Sequence, residues 1–87
     1  MINKFLLKEF GERIRYLRTK ENLSQEQLSL KTGFHRTYIG MIERAERNIS
    51  LTNMAIFAKA FSLTLDELLK FNNAKELLKK YEVKTED

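Results

Sequence analysis

Apolar residues recur at three- and four-residue steps along this 87-residue chain, which is the period of an amphipathic α-helix. In the first segment, the shared face contains Leu6, Phe10, Ile14 and Leu17. We therefore predict a first helix over residues 3–21. Proline is absent, glycine occurs three times, and no alternating β-branched run is long enough to predict a strand. The pattern predicts an all-α protein.

Two short helices joined by a tight turn are predicted next. Ser24 and Gln27 have the spacing of a capping box, so a second helix is expected over residues 25–32. Gly33 follows, where a helix end favours a left-handed residue without a Cβ. A third helix is predicted over residues 35–44. This is the layout of a helix-turn-helix, whose second helix enters the major groove of DNA while the first crosses the backbone.

The second half of the chain predicts further short helices. Ser50 caps a fourth helix, and a second capping-box pattern, Thr64 with Glu67, starts a fifth over residues 65–71. A last, short helix is predicted over residues 74–81. The expected buried stripe of the fourth helix contains Leu51, Met54, Phe57, Ala58 and Phe61.

Length and composition restrict the function. A chain of 87 residues has room for one core, so we predict a single domain over residues 1–82 and a frayed, charged tail over 83–87. Cysteine is absent and histidine occurs once, which excludes thiolate zinc sites, cysteine nucleophiles and paired-histidine metal sites. No apolar run reaches the roughly 20 residues that cross a bilayer. We expect a cytoplasmic protein that is not an enzyme, with no cofactor and no metal.

The net positive charge comes from the first half of the chain. All six arginines precede residue 48, and residues 1–47 contain ten basic and six acidic side chains, whereas the remainder is balanced. The guanidinium group presents paired donors that suit phosphate and the edge of guanine. A solvated surface of mixed charge would explain the composition alone, so the position of these arginines in the fold decides between the two interpretations.

The helix-turn-helix and the later helices together resemble the phage-repressor and Cro-like helix-turn-helix family. The matching segments are LSQE at 23–26, Gly33, Ile39, Ile42-Glu43, SL at 50–51, AKAF at 58–61 and LDELL at 65–69. The resemblance extends over about residues 5–71. It implies a five-helix, lambda-repressor-like DNA-binding domain, to which the short helix at 74–81 would be added.

Within that family, RTYI at 36–39 followed by IER at 42–44 is similar to the controller proteins of restriction–modification systems. This resemblance implies a homodimeric transcription regulator that binds paired operator half-sites in double-stranded DNA ahead of its own gene. It would activate at low occupancy and repress at high occupancy, with RNA polymerase as a further candidate partner. The alternatives are an antitoxin-type interaction module and a phage-type repressor.

Base readout is assigned to the third helix. Arg36 suits guanine O6 and N7, and Thr37 offers a hydroxyl and a methyl group for thymine. Tyr38 either contacts the DNA or packs on the second helix, and Met41 either touches a thymine methyl or fills a gap. Gly40 costs about 1 kcal/mol against alanine in mid-helix, which indicates a close approach, with the DNA backbone as one candidate.

Phosphate contacts are expected around the same helix. The candidates are Gln25, Arg18, His35, Arg44, Arg47 and Asn48. In similar proteins the counterparts of Arg18 and Glu43 form an internal ion pair that lets the arginine face a phosphate. His35 is also a weak candidate for the helix cap.

A dimer interface is predicted in the second half of the chain, which is electrically neutral and rich in apolar residues. The candidates are Ile56, Leu63, Leu65 and Phe71. The alternative is that these residues complete a monomer core. A two-fold dimer would separate its recognition helices by roughly 34 Å, one turn of DNA.

Overall fold

The computed structural model describes residues 3–80, and all regular structure in this range is helical, so the predicted fold class is confirmed. The predicted C-terminal helix is present as a sixth element. The helices are α1 (Lys4–Lys20), α2 (Gln25–Thr32), α3 (Arg36–Glu43), α4 (Leu51–Ala60), α5 (Leu65–Leu68) and α6 (Ala74–Lys80). Within residues 3–80, no helix combines the length and the apolar character that a membrane crossing requires. The predicted tail at 83–87 lies outside the described residues, and the domain boundary stays a prediction.

Local capping determines where the helix-turn-helix begins and turns. Ser24 Oγ accepts from the backbone N–H of Gln27 at 3.0 Å, and Gln27 Oε1 accepts from the backbone N–H of Ser24 at 2.7 Å. Gly33 ends α2 in the left-handed region, at φ +80°. Ser29 Oγ donates to the carbonyl of Phe34 across this turn. The predicted capping box and glycine turn are therefore confirmed.

Helix α5 ends three residues earlier than predicted, at Leu68 rather than Phe71. The reason is Arg13 on α1, whose Nε donates to the carbonyl of Leu68 at 3.0 Å and whose Nη2 donates to that of Glu67 at 2.7 Å. These are the carbonyls that a further helical turn would use. Hydrogen bonds from a distant side chain thus take the place of those of a further helical turn.

The core lies where α1 to α5 meet. Its fully buried side chains are Ile14, Leu28, Ile39, Ile42, Phe57 and Leu68. Phe10 and Phe57 meet edge to face, with ring centroids 6.3 Å apart. The expectation that Leu51 belongs to the buried stripe of α4 was wrong, because this side chain is 64% exposed. The first turn of α4 is not covered by the other described helices, so the stripe begins at Met54.

The crossing of α1 and α3 depends on Gly11, to which the sequence assigned no role. A Cβ at Gly11 would lie 2.5 Å from the carbonyl oxygen of Ile42 and 2.7 Å from that of Glu43. Backbone therefore packs directly on backbone, and the end of α3 is held against α1.

We predict that Gly11→Ala destabilises the fold. Overpacking against main-chain atoms that cannot move aside costs up to roughly 3 kcal/mol, and the gain of about 1 kcal/mol that alanine normally brings to a helix leaves a net loss of about 2 kcal/mol. Urea unfolding followed by circular dichroism measures the change. Gly33→Ala is the control, since a Cβ there meets nothing within 4 Å and adds only the strain of a positive φ, about 1 kcal/mol. A Gly11→Ala protein as stable as the native chain would contradict this packing.

Candidate nucleic-acid interface

Helix α3 presents its first turn to solvent and its later apolar residues to the core. Arg36 and Thr37 are both exposed, while Ile39 and Ile42 are buried beneath the helix. Among residues 3–80, no hydrogen bond or ion pair occupies the side chain of Arg36 or of Thr37. Both are thus available to an external partner, as the predicted base readout requires.

The start of α3 is fixed by His35. Its Nδ1 accepts from the backbone N–H of Thr37 at 3.0 Å, so histidine takes the position where serine or threonine is more usual. The predicted cap is formed. A phosphate contact by the exposed imidazole stays a prediction.

The other end of α3 is anchored by a buried carboxylate. The side chain of Glu43 has no solvent exposure, and its Oε2 lies 2.7 Å from Arg18 Nε. Its Oε1 accepts from Arg18 Nη2 at 2.9 Å and from Gln25 Nε2 at 3.1 Å, with Arg15 Nε at 3.5 Å. One acidic group therefore joins α1, α2 and α3.

The electrostatics of this cluster favour the ionised carboxylate. Burial alone raises the pKa of Glu43, but the hydrogen bonds from Arg18 and Gln25 and the charge of Arg18 outweigh it, and the pKa lies below its ordinary value. The hydrogen bond to Glu43 raises the pKa of Arg18 in turn, against the opposing effect of its own burial. The pair is charged throughout the physiological range.

Arg18 is largely used inside the protein. Besides the two contacts to Glu43, its Nη1 donates to the carbonyl of Leu23 at 2.8 Å, and its side chain is 14% exposed. The predicted ion pair is formed and joins α1 to the end of α3, while the hydrogen bond to Leu23 ties the loop before α2 to α1. A direct contact of Arg18 with a phosphate stays a prediction.

The segment that leaves α3 carries three of the predicted phosphate contacts. Arg44 is exposed, and its Nε and Nη2 lie 3.0 and 3.1 Å from the carboxylate of Glu46. The guanidinium of Arg47 lies over a tyrosine ring, and Asn48 Oδ1 accepts from the next backbone N–H at 3.1 Å. The chain turns through Ala45 at φ +60°, a left-handed conformation that alanine adopts with strain.

Tyr38 packs within the protein, which is one of the two roles that the sequence allowed for it. Its ring lies 5.0 Å from that of Phe34, and its hydroxyl accepts from Asn53 Nδ2 at 3.0 Å. The guanidinium of Arg47 lies 5.5 Å from the ring centroid of Tyr38. These contacts are with the turn before α3, with α4 and with the segment after α3, whereas the sequence indicated α2. Base readout by Tyr38, and by the half-buried Met41, stays a prediction.

The predicted dimer residues differ in how they pack. Leu63, Leu65 and Phe71 are half-buried against the core, whereas Ile56 is half-buried outside it. Phe71 lines an apolar groove between α1 and the end of α5, while Ile56 lines a separate groove beside Lys59. Leu63, Leu65 and Phe71 therefore contribute to the monomer core, in agreement with the alternative interpretation.

A sequence model of the helix-turn-helix family (HTH_3) matches residues 14–68, from the middle of α1 to the end of α5. The chain belongs to the helix-turn-helix family. Control protein C.SmaI of Serratia marcescens is 50% identical over 59 residues, which cover 68% of this chain and 70% of that protein. The resemblance to controller proteins is thus confirmed.

Solved structures of this family agree with the fold. The restriction-modification controller protein C.AhdI from Aeromonas hydrophila superposes with a TM-score of 0.68 at 45% identity, covering 71% of this chain and 94% of that one. The controller protein C.Esp1396I, solved as a tetramer with its natural 35 base-pair operator, has a TM-score of 0.70 at 31% identity, covering 85% and 96%. The anchored α3 described above thus occurs in a fold that, in C.Esp1396I, is seen bound to operator DNA.

We predict that Glu43→Gln removes a stabilisation that depends on pH. A folded pKa below the ordinary value of about 4.3 stabilises the protein above that pH, and the stabilisation is lost as the pH falls through the folded pKa. At pH 7 the variant should lose about 3 kcal/mol, the low end for a broken buried pair because Arg18 keeps some solvent access.

Urea unfolding of both proteins from pH 7 to pH 3 measures the effect. The difference should be constant down to about pH 5 and shrink below about pH 4. Glu46→Gln is the matched control, since the ion pair of Glu46 with Arg44 is exposed and its loss should change stability little. A difference that stays the same down to pH 3 would show that the charge of Glu43 is not what anchors α3.

Proposed function

We propose that this chain is a sequence-specific, DNA-binding transcription regulator that controls a restriction–modification system and its own promoter. The observation that carries the proposal is the exposed first turn of α3, with Arg36 and Thr37 unengaged on a helix anchored at its far end by Glu43. The similarity to C.SmaI, C.AhdI and the operator-bound C.Esp1396I supports it.

In the proposed complex α3 lies in the major groove. Arg36 donates twice to a guanine, at O6 and N7, and Thr37 contacts a neighbouring base edge. Because both side chains stand on a capped, anchored helix, little backbone freedom is lost on binding, and the ordering cost is confined to the side chains. Sequence specificity then depends on these two side chains, with Met41 further along the groove.

Phosphate contacts come from both segments that adjoin the helix. Gln25 lies at the start of α2, and Arg44, Arg47 and Asn48 lie on the segment after α3. Such contacts fix the register of the protein on the duplex without reading its sequence. Tyr38 acts here through Arg47, whose guanidinium it holds over its ring, and Arg18 acts through Glu43.

The proposed regulator is a homodimer. The uncovered face of α4, with the exposed Leu51 and Ala55, is the surface that favours a second copy, and Ile56, Leu63 and Leu65 are its further candidates. This moves the interface away from Phe71, which lines the groove on α1. A two-fold pair would bind a pseudo-palindromic site. Activation would require a further contact with RNA polymerase.

We predict that two arginine variants weaken DNA binding in different ways. Arg36→Ala should cost roughly 1–3 kcal/mol on the operator and relax selectivity at one base pair, because it removes a base contact. Arg47→Ala should weaken binding to every sequence and lower the salt slope by about one ion. Fluorescence anisotropy over a salt series, on a duplex selected from a random pool and on an unrelated duplex of equal length, separates the two. Equal losses on both duplexes for Arg36→Ala would contradict base readout.

We predict that Leu51→Lys dissociates the dimer. Burying a lysine in the proposed interface leaves an unpaired charge there, whereas Leu30→Lys places the same charge on α2, where Leu30 is 82% exposed. Sedimentation equilibrium at micromolar concentration should show a dimer for the native chain and Leu30→Lys and a monomer for Leu51→Lys. A native chain that is only monomeric, or a dimeric Leu51→Lys, would refute this interface.

A further inference from the structure

Gly40 is a helical glycine whose nearest neighbours beyond its own helix backbone are side-chain atoms. A Cβ built on it meets Arg44 Nη1 at 3.0 Å and Gln25 Oε1 at 3.4 Å, and the next atom is Arg44 Cζ at 3.7 Å. This differs from Gly11, where a Cβ would meet main-chain carbonyls. The space left by the missing methyl group at Gly40 is used by the ends of two polar side chains.

Each of these side chains is also held at a second point. Gln25 Nε2 donates one of its two hydrogens to Glu43 Oε1 at 3.1 Å, which leaves the second hydrogen for a phosphate oxygen and places Gln25 Oε1 beside Gly40. Arg44 is held by the carboxylate of Glu46 through Nε and Nη2, which leaves Nη1 beside the same glycine. An amide from α2 and a guanidinium from the end of α3 therefore converge on one point of the α3 surface.

We infer that Gly40 is a positioning residue: because it has no side chain, Gln25 and Arg44 can lie side by side at this point as one phosphate-contacting pair. The inference rests on the proposed function, in which each of the two is a separate phosphate contact. A methyl group at this point displaces the exposed Arg44 guanidinium, which is the nearer group and the end of a flexible chain, and it comes into ordinary contact with the Gln25 amide. The backbone of α3 has room to stay in place.

The two possible roles of Gly40 predict opposite changes in stability when it is replaced by alanine. If this glycine served only the packing of α3, its replacement by alanine would destabilise the protein and weaken binding in parallel. A positioning role predicts a higher urea midpoint, because alanine favours the helix, together with weaker DNA binding. Stability and affinity should thus change in opposite directions.

The test is Gly40→Ala in the full chain. On both the selected operator and an unrelated duplex of equal length, its affinity should fall by about fivefold to tenfold, the size of one typical net hydrogen bond. The loss should be the same on the two duplexes, because phosphate contacts carry no sequence information. Unchanged affinity, or a loss confined to the operator, would overturn the inference.

A mutant cycle identifies the groups through which Gly40 acts. In a Gln25→Ala/Arg44→Ala protein, the further change Gly40→Ala should alter affinity less than about twofold, because the side chains it positions are gone. The same fivefold to tenfold loss in that background would show that Gly40 meets the DNA directly, and would refute the positioning role.

A measurement without DNA keeps the inference separate from the proposed function. In nitrogen–proton correlation spectra of the free protein, Gly40→Ala should shift the side-chain signals of Gln25 and Arg44 Nε while leaving those of Asn53 in place. If the native chain bound no duplex, the proposed function would fail, yet these signals would still decide the positioning. Unmoved Gln25 and Arg44 signals would refute it in either case.

Discussion

The placement of the functional surface depends on one buried carboxylate. Glu43 is the last residue of α3, and it receives hydrogen bonds from Arg18 on α1 and from Gln25 on α2. A buried charge is tolerated only when its partners are all in place, so the three helices adopt one relative arrangement or leave the charge uncompensated. Gly11 permits the close crossing that brings α1 to this point. With one end fixed in this way, α3 can leave its other end exposed.

The same arrangement explains why charge and function are concentrated in the first half of the chain. The arginines of this half divide into those that face inward and those that face outward. Arg13 and Arg18 bind carbonyls and a carboxylate inside the fold, whereas Arg36 has no partner among residues 3–80 and Arg47 lies over a ring at the surface. The excess of basic residues is thus partly structural. The part that remains available surrounds α3.

Features governed by neighbours in sequence could be predicted, while features governed by distant contacts could not. The capping box at Ser24 and the left-handed Gly33 follow from local rules. The early end of α5 depends on Arg13, 55 residues away from Leu68, and the role of Tyr38 depends on Asn53. Neither pairing has a signal in the periodicity. The cost of a glycine in mid-helix indicated that some group approaches Gly40 closely. It did not indicate that the approaching groups are side chains of the protein.

The central claim is that α3 reads guanine in the major groove through Arg36. Methylation interference tests it most directly, because dimethyl sulfate modifies guanine N7, which lies in that groove. On duplexes selected by the native protein, the account predicts that methylation of a guanine in each half-site blocks binding, and that Arg36→Ala becomes insensitive at that position. Binding that no guanine methylation affects, or that Arg36→Ala leaves equally sensitive, would contradict the account.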